Sequence, residues 1–366
     1  MLDVYFKNVG KGDCIVLEWT NSQTRKLEIG IIDCGTYKEN GNQNKAIEHL
    51  KKRKITNHEL SVRFIVLSHP HTDHYSGIKD LIDSCIKDNI KISSFYHTSA
   101  YHQDFLSIAG RKDLAPEALA PRSVAGLGNQ SRLLELYLCA KENHKKKVFE
   151  TQFLVDKRSF ALNDSMEFKL LSPNSQDELS EYLRKAFEFS PEEEDEFSMG
   201  DNDPNNRHAN LLSSIISIET EQWRFLLTSD ATTSALERVH IDLGLNKDKK
   251  QLIVAQAPHH GSDGNHYDAF WDVHVARKGF PIIISCGGSK HPQKAVVEYF
   301  REKRAKIRAT NNSGYLAQTE SQTIAKYLGA SIHEPAGRPV GTPIKGGRDI
   351  NFHIDAAGTV TKIPRI

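Results

Sequence analysis

Apolar positions along the chain fall into two blocks of similar design. In the first, three short runs, "LDVYF", "DCIVLEW" and "LEIGIID", are separated by the polar stretches "KNVGKG" and "TNSQTRK". Runs rich in β-branched and aromatic residues between turn signals predict a β-meander. A helical pattern follows from about Asn44 to Lys54, then the apolar strand "RFIVLSH", a helix near Ile78 to Lys87 and a strand near "ISSFYHT". Gln130 to Lys146 reads as helix, "VFETQFL" and "MEFKLLS" as strands, and about Asp177 to Phe189 as helix. The next stretch, "SPEEEDEFSMGDNDPNN", has no apolar periodicity and combines Pro, Gly and like charges, which predicts a loop.

From Leu211 the theme returns with the strands "LLSSIISIE" and "WRFLLTSD", a helix, the strand "LIVAQAPHH", another helix and the strand "FPIIISC". Two β-rich blocks, each followed by strand–helix alternation, predict an α/β protein with two sheets face to face and helices outside, a four-layer αββα sandwich. The expected organisation is one domain over 1–330 with an insertion at about 100–205, and an extension over 331–366 packing on the same domain. In that extension "EPAGRPVGTPIKGG" reads as a linker and "DINFHIDAAGTVTKI" as a terminal hairpin.

Composition adds limits. An apolar fraction of 38% and a charged fraction of 26% are those of a soluble globular chain. No window approaches the run of about eighteen apolar residues that a membrane span needs, and the N-terminus lacks a signal-peptide pattern. A cytoplasmic protein without a membrane partner is expected. Cys14, Cys34, Cys85, Cys139 and Cys286 show no framework spacing, as suits reduced thiols filling the core. The net charge of +1 gives no global attraction to nucleic acid, although Lys51 to Lys54, His144 to Lys147 and Arg301 to Arg308 are locally basic. Such runs read either as solvated faces or as a track for phosphates.

The chemistry gathers in "VLSHPHTDHYSG". His69, His71, Asp73 and His74 crowd four potential metal ligands into six positions at the end of an apolar strand. Residues two apart on an extended backbone point the same way, so His69 and His71 pair for one ion while Asp73 and His74 turn toward a second. Imidazole with carboxylate suits zinc first, with manganese or iron as alternatives. Partners stand at other strand ends: Asp230 after "WRFLLTS", placed to bridge two ions, and His259 with His260 after "LIVAQAP". Asp33, ending "LEIGIID", is placed to fix an imidazole tautomer.

These residues resemble the metallo-β-lactamase superfamily, with its HxHxDH motif, bridging Asp and final His. Within it the chain is similar to the ComEC-like hydrolases: "NVGKGDCIVL" resembles their "DVGQGDxxLI", "IIDCG" their "LIDxG", "APHHGS" their "xPHHGS" and "HPQKAVVEYF" their "HPxPEVLxxL". The resemblance implies an αββα hydrolase with two divalent ions held by His69, His71, Asp73, His74, Asp230 and His259 or His260. For the third ligand of the first ion, His208 and Asn210 in "HANLLSS" compete. His291 is expected near the ions, binding a phosphate oxygen, protonating a leaving group or capping the helix after it. Ser262 offers a hydroxyl to an oxyanion or simply forms a turn.

The resemblance favours a phosphodiesterase or nuclease, in which Asp73 orients the attacking water. Lys145 and Lys146 would bind substrate, and the basic runs would hold a nucleic-acid backbone. Alternatives are a hydrolase of a small non-nucleic substrate (a phosphorylated headgroup, a cyclic nucleotide or a lactone) and a non-catalytic scaffold within a multiprotein system.

Overall fold

A computed structural model describes residues 1–36, 44–57, 59–98, 127–179, 181–182, 208–242, 250–274, 279–285, 290–311, 314–316 and 349–362. The first sheet has the spatial order β15 (Val360–Lys362), β14 (Ile350–Ile354), β1 (Leu2–Phe6), β2 (Ile15–Thr20), β3 (Leu27–Ile32), β4 (Ser61–Leu67), β5 (Lys91–His97), β6 (Glu150–Phe153). The second runs β13 (Lys306–Ala309), β12 (Pro281–Ile284), β11 (Gln251–Gln256), β10 (Trp223–Leu227), β9 (Ile215–Glu219), β8 (Met166–Ser172), β7 (Ser159–Asn163).

Each sheet joins an antiparallel meander to a parallel set, β3 to β6 in the first and β10 to β13 in the second. Parallel neighbours need crossovers, and helices supply them on the outer faces. They are α1 (Lys45–Thr56), α2 (Thr72–Tyr75), α3 (Ile78–Lys87) and α4 (Leu127–Lys145) on the first sheet, then α5 (Thr233–Asp242), α6 (Asp268–His274) and α7 (Lys294–Glu302) on the second.

Alternation along the strands sorts the core into layers. In β4, Phe64 and Val66 face the other sheet and meet Phe168, Ile216 and Phe225. Val62, Ile65 and Leu67 face outward and pack under Leu50, Ile78, Leu81 and Ile82 of the helices. The second sheet repeats this, with Leu226, Leu252 and Ile282 under Leu236, Trp271 and Phe300. Side chains buried on both faces of both sheets make the four layers expected from the sequence.

The stretch expected as an insertion, about 100–205, supplies over residues 127–179 helix α4 and strands β6, β7 and β8, which complete the two sheets. The polar loop of residues 190–206 and Cys286 lie outside the described residues. From the C-terminal extension, β14 pairs antiparallel with β1 and forms a hairpin with β15. Cys14, Cys34 and Cys85 are buried free thiols, as expected of core filler. Among the described residues no helix is long and apolar enough to cross a membrane.

Parallel strands in one set end at one edge, and the edge matters for function. Ligands in α/β sheets bind beyond the carboxyl ends of the strands, and His69 to His74 follow β4 there. The basic runs stand at the other edge. Lys51 to Lys54 close α1 before the start of β4, Lys145 to Lys147 precede the start of β6, and Lys303 to Lys306 precede or begin β13.

Candidate metal centre

Strand ends aim the site. His69 and His71 follow β4, with His71 leading into the single turn of α2 that carries Asp73 and His74. Asp230 follows β10, and His259 and His260 sit in a 3-10 turn after β11. Four non-glycine residues at these strand ends adopt the left-handed region: Asp33 (φ 58°), Ser229 (φ 46°), His259 (φ 46°) and His260 (φ 55°). Such backbone costs of order 1–3 kcal/mol per residue and concentrates at functional sites.

Four imidazoles, those of His74, His260, His69 and His259, are fixed through Nδ1, leaving Nε2 for the cluster. His74 Nδ1 lies 2.7 Å from Asp33 Oδ2, and Asp33 also accepts from the Ser68 amide and hydroxyl at 2.7 and 2.6 Å. His260 Nδ1 donates to the Ser285 carbonyl at 2.6 Å, which leaves Nε2 with its lone pair. His69 Nδ1 meets the Ser68 and Ser229 hydroxyls, each at 3.2 Å. His259 Nδ1 meets Asn265 Oδ1 at 2.8 Å, and the Asn265 amide donates to the Ala231 carbonyl. Such partners set tautomer and ring orientation in metal sites.

The remaining nitrogens converge on Asp230. Its Oδ2 is 3.7 Å from His69 Nε2 and 3.6 Å from His259 Nε2. Its Oδ1 is 3.5 Å from His74 Nε2 and 3.7 Å from His260 Nε2, and His260 Nε2 is 3.5 Å from Asp73 Oδ2. His69 Nε2 and His71 Nδ1 are 2.9 Å apart. Among the described residues three groups of converging ligand atoms result, His69–His71–Asp230, Asp73–His74–His260 and Asp13–Asp33–His74. Asp230 stands between the first two.

The chain has two mixed sheets packed together and flanked by helices, an αββα arrangement. Its layered sheets and its ligands pooled from β4, β10 and β11 are what the sequence resemblance implied. No family model matches the sequence, and no curated protein does. Among solved structures, the metallo-β-lactamase fold protein YhfI from Bacillus subtilis matches at 9% identity over 84% of this chain and 96% of its own, TM-score 0.40. Unliganded yeast PDE1 matches at 10% identity over 84% and 98%, TM-score 0.42. Zn(2+)-bound PqqB from Methylobacterium extorquens matches at 8% identity over 86% and 98%, TM-score 0.37.

The donor set fits a divalent cation by a test internal to the structure. His74 Nε2, Asp230 Oδ1 and His260 Nε2 are buried without a hydrogen-bond partner, and all three face one another. Unmade contacts at a buried polar atom cost free energy, and a cation would satisfy all three. Charge balance agrees. Burial disfavours charge on His260, but Asp230 and Asp73 outweigh it and push the imidazole up to about 9. Burial is likewise overcome at His74, raised well above its ordinary value by Asp230 and Asp33. Despite their own burial, Asp73 and Asp230 are held well below the usual carboxylate range by His260, His74 and, for Asp230, His259. Imidazoles and carboxylates thus favour each other's charged forms, and metal uptake at such groups is coupled to proton release.

The other expected residues stand as follows. Among the described residues His208 belongs to no group of converging ligand atoms; it precedes the 3-10 turn Ala209–Leu212, and its carbonyl accepts from Leu211. Asn210 has its amide oxygen buried without a hydrogen-bond partner. Of the paired histidines, His259 faces Asp230 Oδ2 and His260 faces Oδ1, and among the described residues only His260 belongs to a group of converging ligand atoms. Ser262 is buried and its amide donates to the His259 carbonyl, a turn-forming role. The His291 ring lies 5.4 Å from the His259 ring, tilted by 37°, and burial together with His259 and His260 pushes it down to about 4. That favours its neutral form.

Lys145 and Lys146 do not reach the site. They end α4 at the start of β6, whereas the ligands follow the far end of β4. Strand geometry puts them about 10 Å away along the strands and about 10 Å across them. Lys146 pairs with Glu142 on the exposed helix face. Arg53, from another basic run, turns inward to Glu18.

Sequence reading missed Asp13, Ser68, Ser229 and Gln256, which hold the ligands. The "NVGKGD" stretch was the one visible signal among them.

Proposed function

We propose that this chain is a metal-dependent hydrolase acting on phosphodiesters through two divalent ions, zinc first and manganese second. The observation that carries this reading is the division of Asp230: one oxygen faces His69 and His259, the other His74 and His260. His69, His71, Asp230 and His259 would hold one ion, and Asp73, His74, His260 and Asp230 the other. Such ions polarise the ester and lower the pKa of water toward neutrality.

The chain's own part is positional. Asp73, whose Oδ2 lies 3.5 Å from His260 Nε2, orients the attacking water. His291, beside His259, offers its imidazole to a substrate oxygen. Similarity to ComEC-like sequences favours nucleic acid as substrate. The basic runs at the opposite edge favour a second reading, a small phosphodiester or another small ester. A hydrolase whose lysines stand away from the site makes few backbone contacts, so its salt dependence is shallow.

The test is a panel of single-stranded DNA, duplex DNA, RNA, bis(p-nitrophenyl) phosphate and a lactone, each with zinc, manganese and magnesium at two salt concentrations. Phosphodiester turnover lost in Asp73→Ala and Asp230→Ala is expected. Turnover of the generic ester alone moves the substrate to the small-molecule class. No turnover of any ester by fully metallated protein overturns the hydrolase reading.

A further inference from the structure

Each ligand group draws residues from both sheets, His69, His71, Asp73 and His74 from the first and Asp230 and His260 from the second, so bridging by Asp230 requires the gap between the sheets' loops to be fixed. Buried side chains span it. The Ser68 and Ser229 hydroxyls meet at 2.7 Å. Beside them, Gln256 Nε2 donates to Asp13 Oδ2 at 2.6 Å, while Gln256 Oε1 accepts from the amides of Thr228 and Ser229 at 3.3 and 3.2 Å. Asp13 is 1% exposed and Gln256 2%.

Asp13 is tied in turn to the loop of Asp73. Its amide donates to the Asp73 carbonyl at 3.2 Å, and its carbonyl accepts from Gly35 at 2.8 Å. One chain of bonds therefore runs from the main chain of Asp73, through Asp13 and Gln256, to the main chain that presents Asp230. We propose that Asp13 and Gln256 are positioning residues that set the spacing of Asp73 against Asp230, an inference that rests on the metal-hydrolase reading. The "NVGKGD" stretch thereby acquires a task, since its aspartate is the first-sheet end of the clasp.

The chemistry of the pair dictates the test. Gln256 must show its N–H to a carboxylate and its oxygen to two amides, so its orientation has one solution. Glutamate at 256 keeps the amide bonds but sets two carboxylates face to face. Asparagine at 13 then supplies the missing donor, and Asp13→Asn with Gln256→Glu rebuilds the hydrogen bond with its partners exchanged. A purely steric role gives no such rescue.

Cobalt(II) is titrated into the full chain, reading stoichiometry, affinity and the magnetic coupling between paired ions by electron paramagnetic resonance, which senses their separation. Outer partners of metal ligands cost about 10- to 100-fold in affinity when lost, so Gln256→Glu is expected to lose that much and to change the coupling. The exchanged double variant is expected to return within about threefold of wild type with the original coupling. Wild-type affinity and coupling in Gln256→Glu, or a double variant no better than the single, overturns the proposal. Should Gln256→Glu fail to fold, a folded double variant with wild-type coupling supports it. A double variant that also fails to fold, or folds without coupling, overturns it. Wild-type protein that takes up no cobalt overturns the metal reading itself, and is seen before any variant is made.

Discussion

Alanine at position 35 tests how tightly the site is held by main chain. A Cβ built on Gly35 would lie 2.1 Å from the Asp73 carbonyl oxygen and 3.3 Å from the Asp13 carbonyl oxygen. Ordinary contact begins at 3.4 Å, so the Asp73 carbonyl must retreat by 3.4 − 2.1 = 1.3 Å or the Gly35 strand end must move as far. Both obstacles are backbone, which cannot rotate away as a side chain can. Metal–ligand distances tolerate about 0.2 Å, so Asp73 would leave its place by several times that margin. Misplacement by about 1 Å can cost 100-fold in rate, and over-packing costs about 1–3 kcal/mol in stability.

The assay is metal content after dialysis, phosphodiester turnover and urea unfolding for Gly35→Ala beside Gly279→Ala. Gly279 has φ +80° and no atom within 4 Å of the added Cβ, so it carries only the left-handed strain of about 1–2 kcal/mol. Gly35→Ala is expected to lose an ion and about 100-fold in activity, whereas Gly279→Ala keeps both ions at similar stability loss. Full metal content and activity in Gly35→Ala would refute the reasoning. Equal loss of metal in both variants would also refute it, because destabilisation alone would then suffice.

Glu18, buried on β2, accepts from Tyr5, from Arg53 at two atoms and from the His49 side at 2.7 Å, tying α1 to the sheet. Glu18→Ala leaves that charge cluster uncompensated and is expected to cost about 3–5 kcal/mol in urea unfolding with metal content unchanged. His266 is packed against Trp271, Tyr299 and Phe300, and burial pushes it down to about 4. The unfolded chain, with its imidazole near 6.5, binds the proton first, so stability falls as pH drops from 6.5 toward 4. The loss is at most about 3 kcal/mol, and His266→Gln should flatten that slope. His259→Ala is expected to weaken one ion strongly while His208→Ala keeps both, as measured by elemental analysis; the reverse result would restore His208 as the ligand.

The ligands were legible because each is a polar residue ending an apolar run, and strand ends announce themselves locally. His69, His71, Asp73, His74, Asp230 and the histidine pair all meet that description. The edge strands β7 and β13 went unread because "SFALN" and "KIRA" are short, and β13 is half charged. Charged residues suit edges that must not pair with other chains. Gln256 and Asp13 are 243 positions apart, so no local pattern links them. The place of the basic runs was hidden for a related reason: composition reveals charge, but only strand direction reveals which edge the charge occupies. Within the stretch of about 100–205 read as an insertion, β6, β7 and β8 join the two sheets, a pairing that shows only once the strands are assembled.

The site also concentrates terms that work against folding. Asp33, Ser229, His259 and His260 hold left-handed backbone, and His74, Asp230 and His260 each bury a polar atom without a partner. The sandwich supports these because its core is elsewhere, between the sheets and under the helices. A cation bound at Asp230 would satisfy the orphaned atoms while leaving the backbone strain in place. Its binding free energy therefore adds to the native state alone, in the manner of any ligand that ignores the unfolded chain. The same ion that would activate water would thus hold the two sheets' loops together, which makes metal content a property of the fold as much as of the reaction.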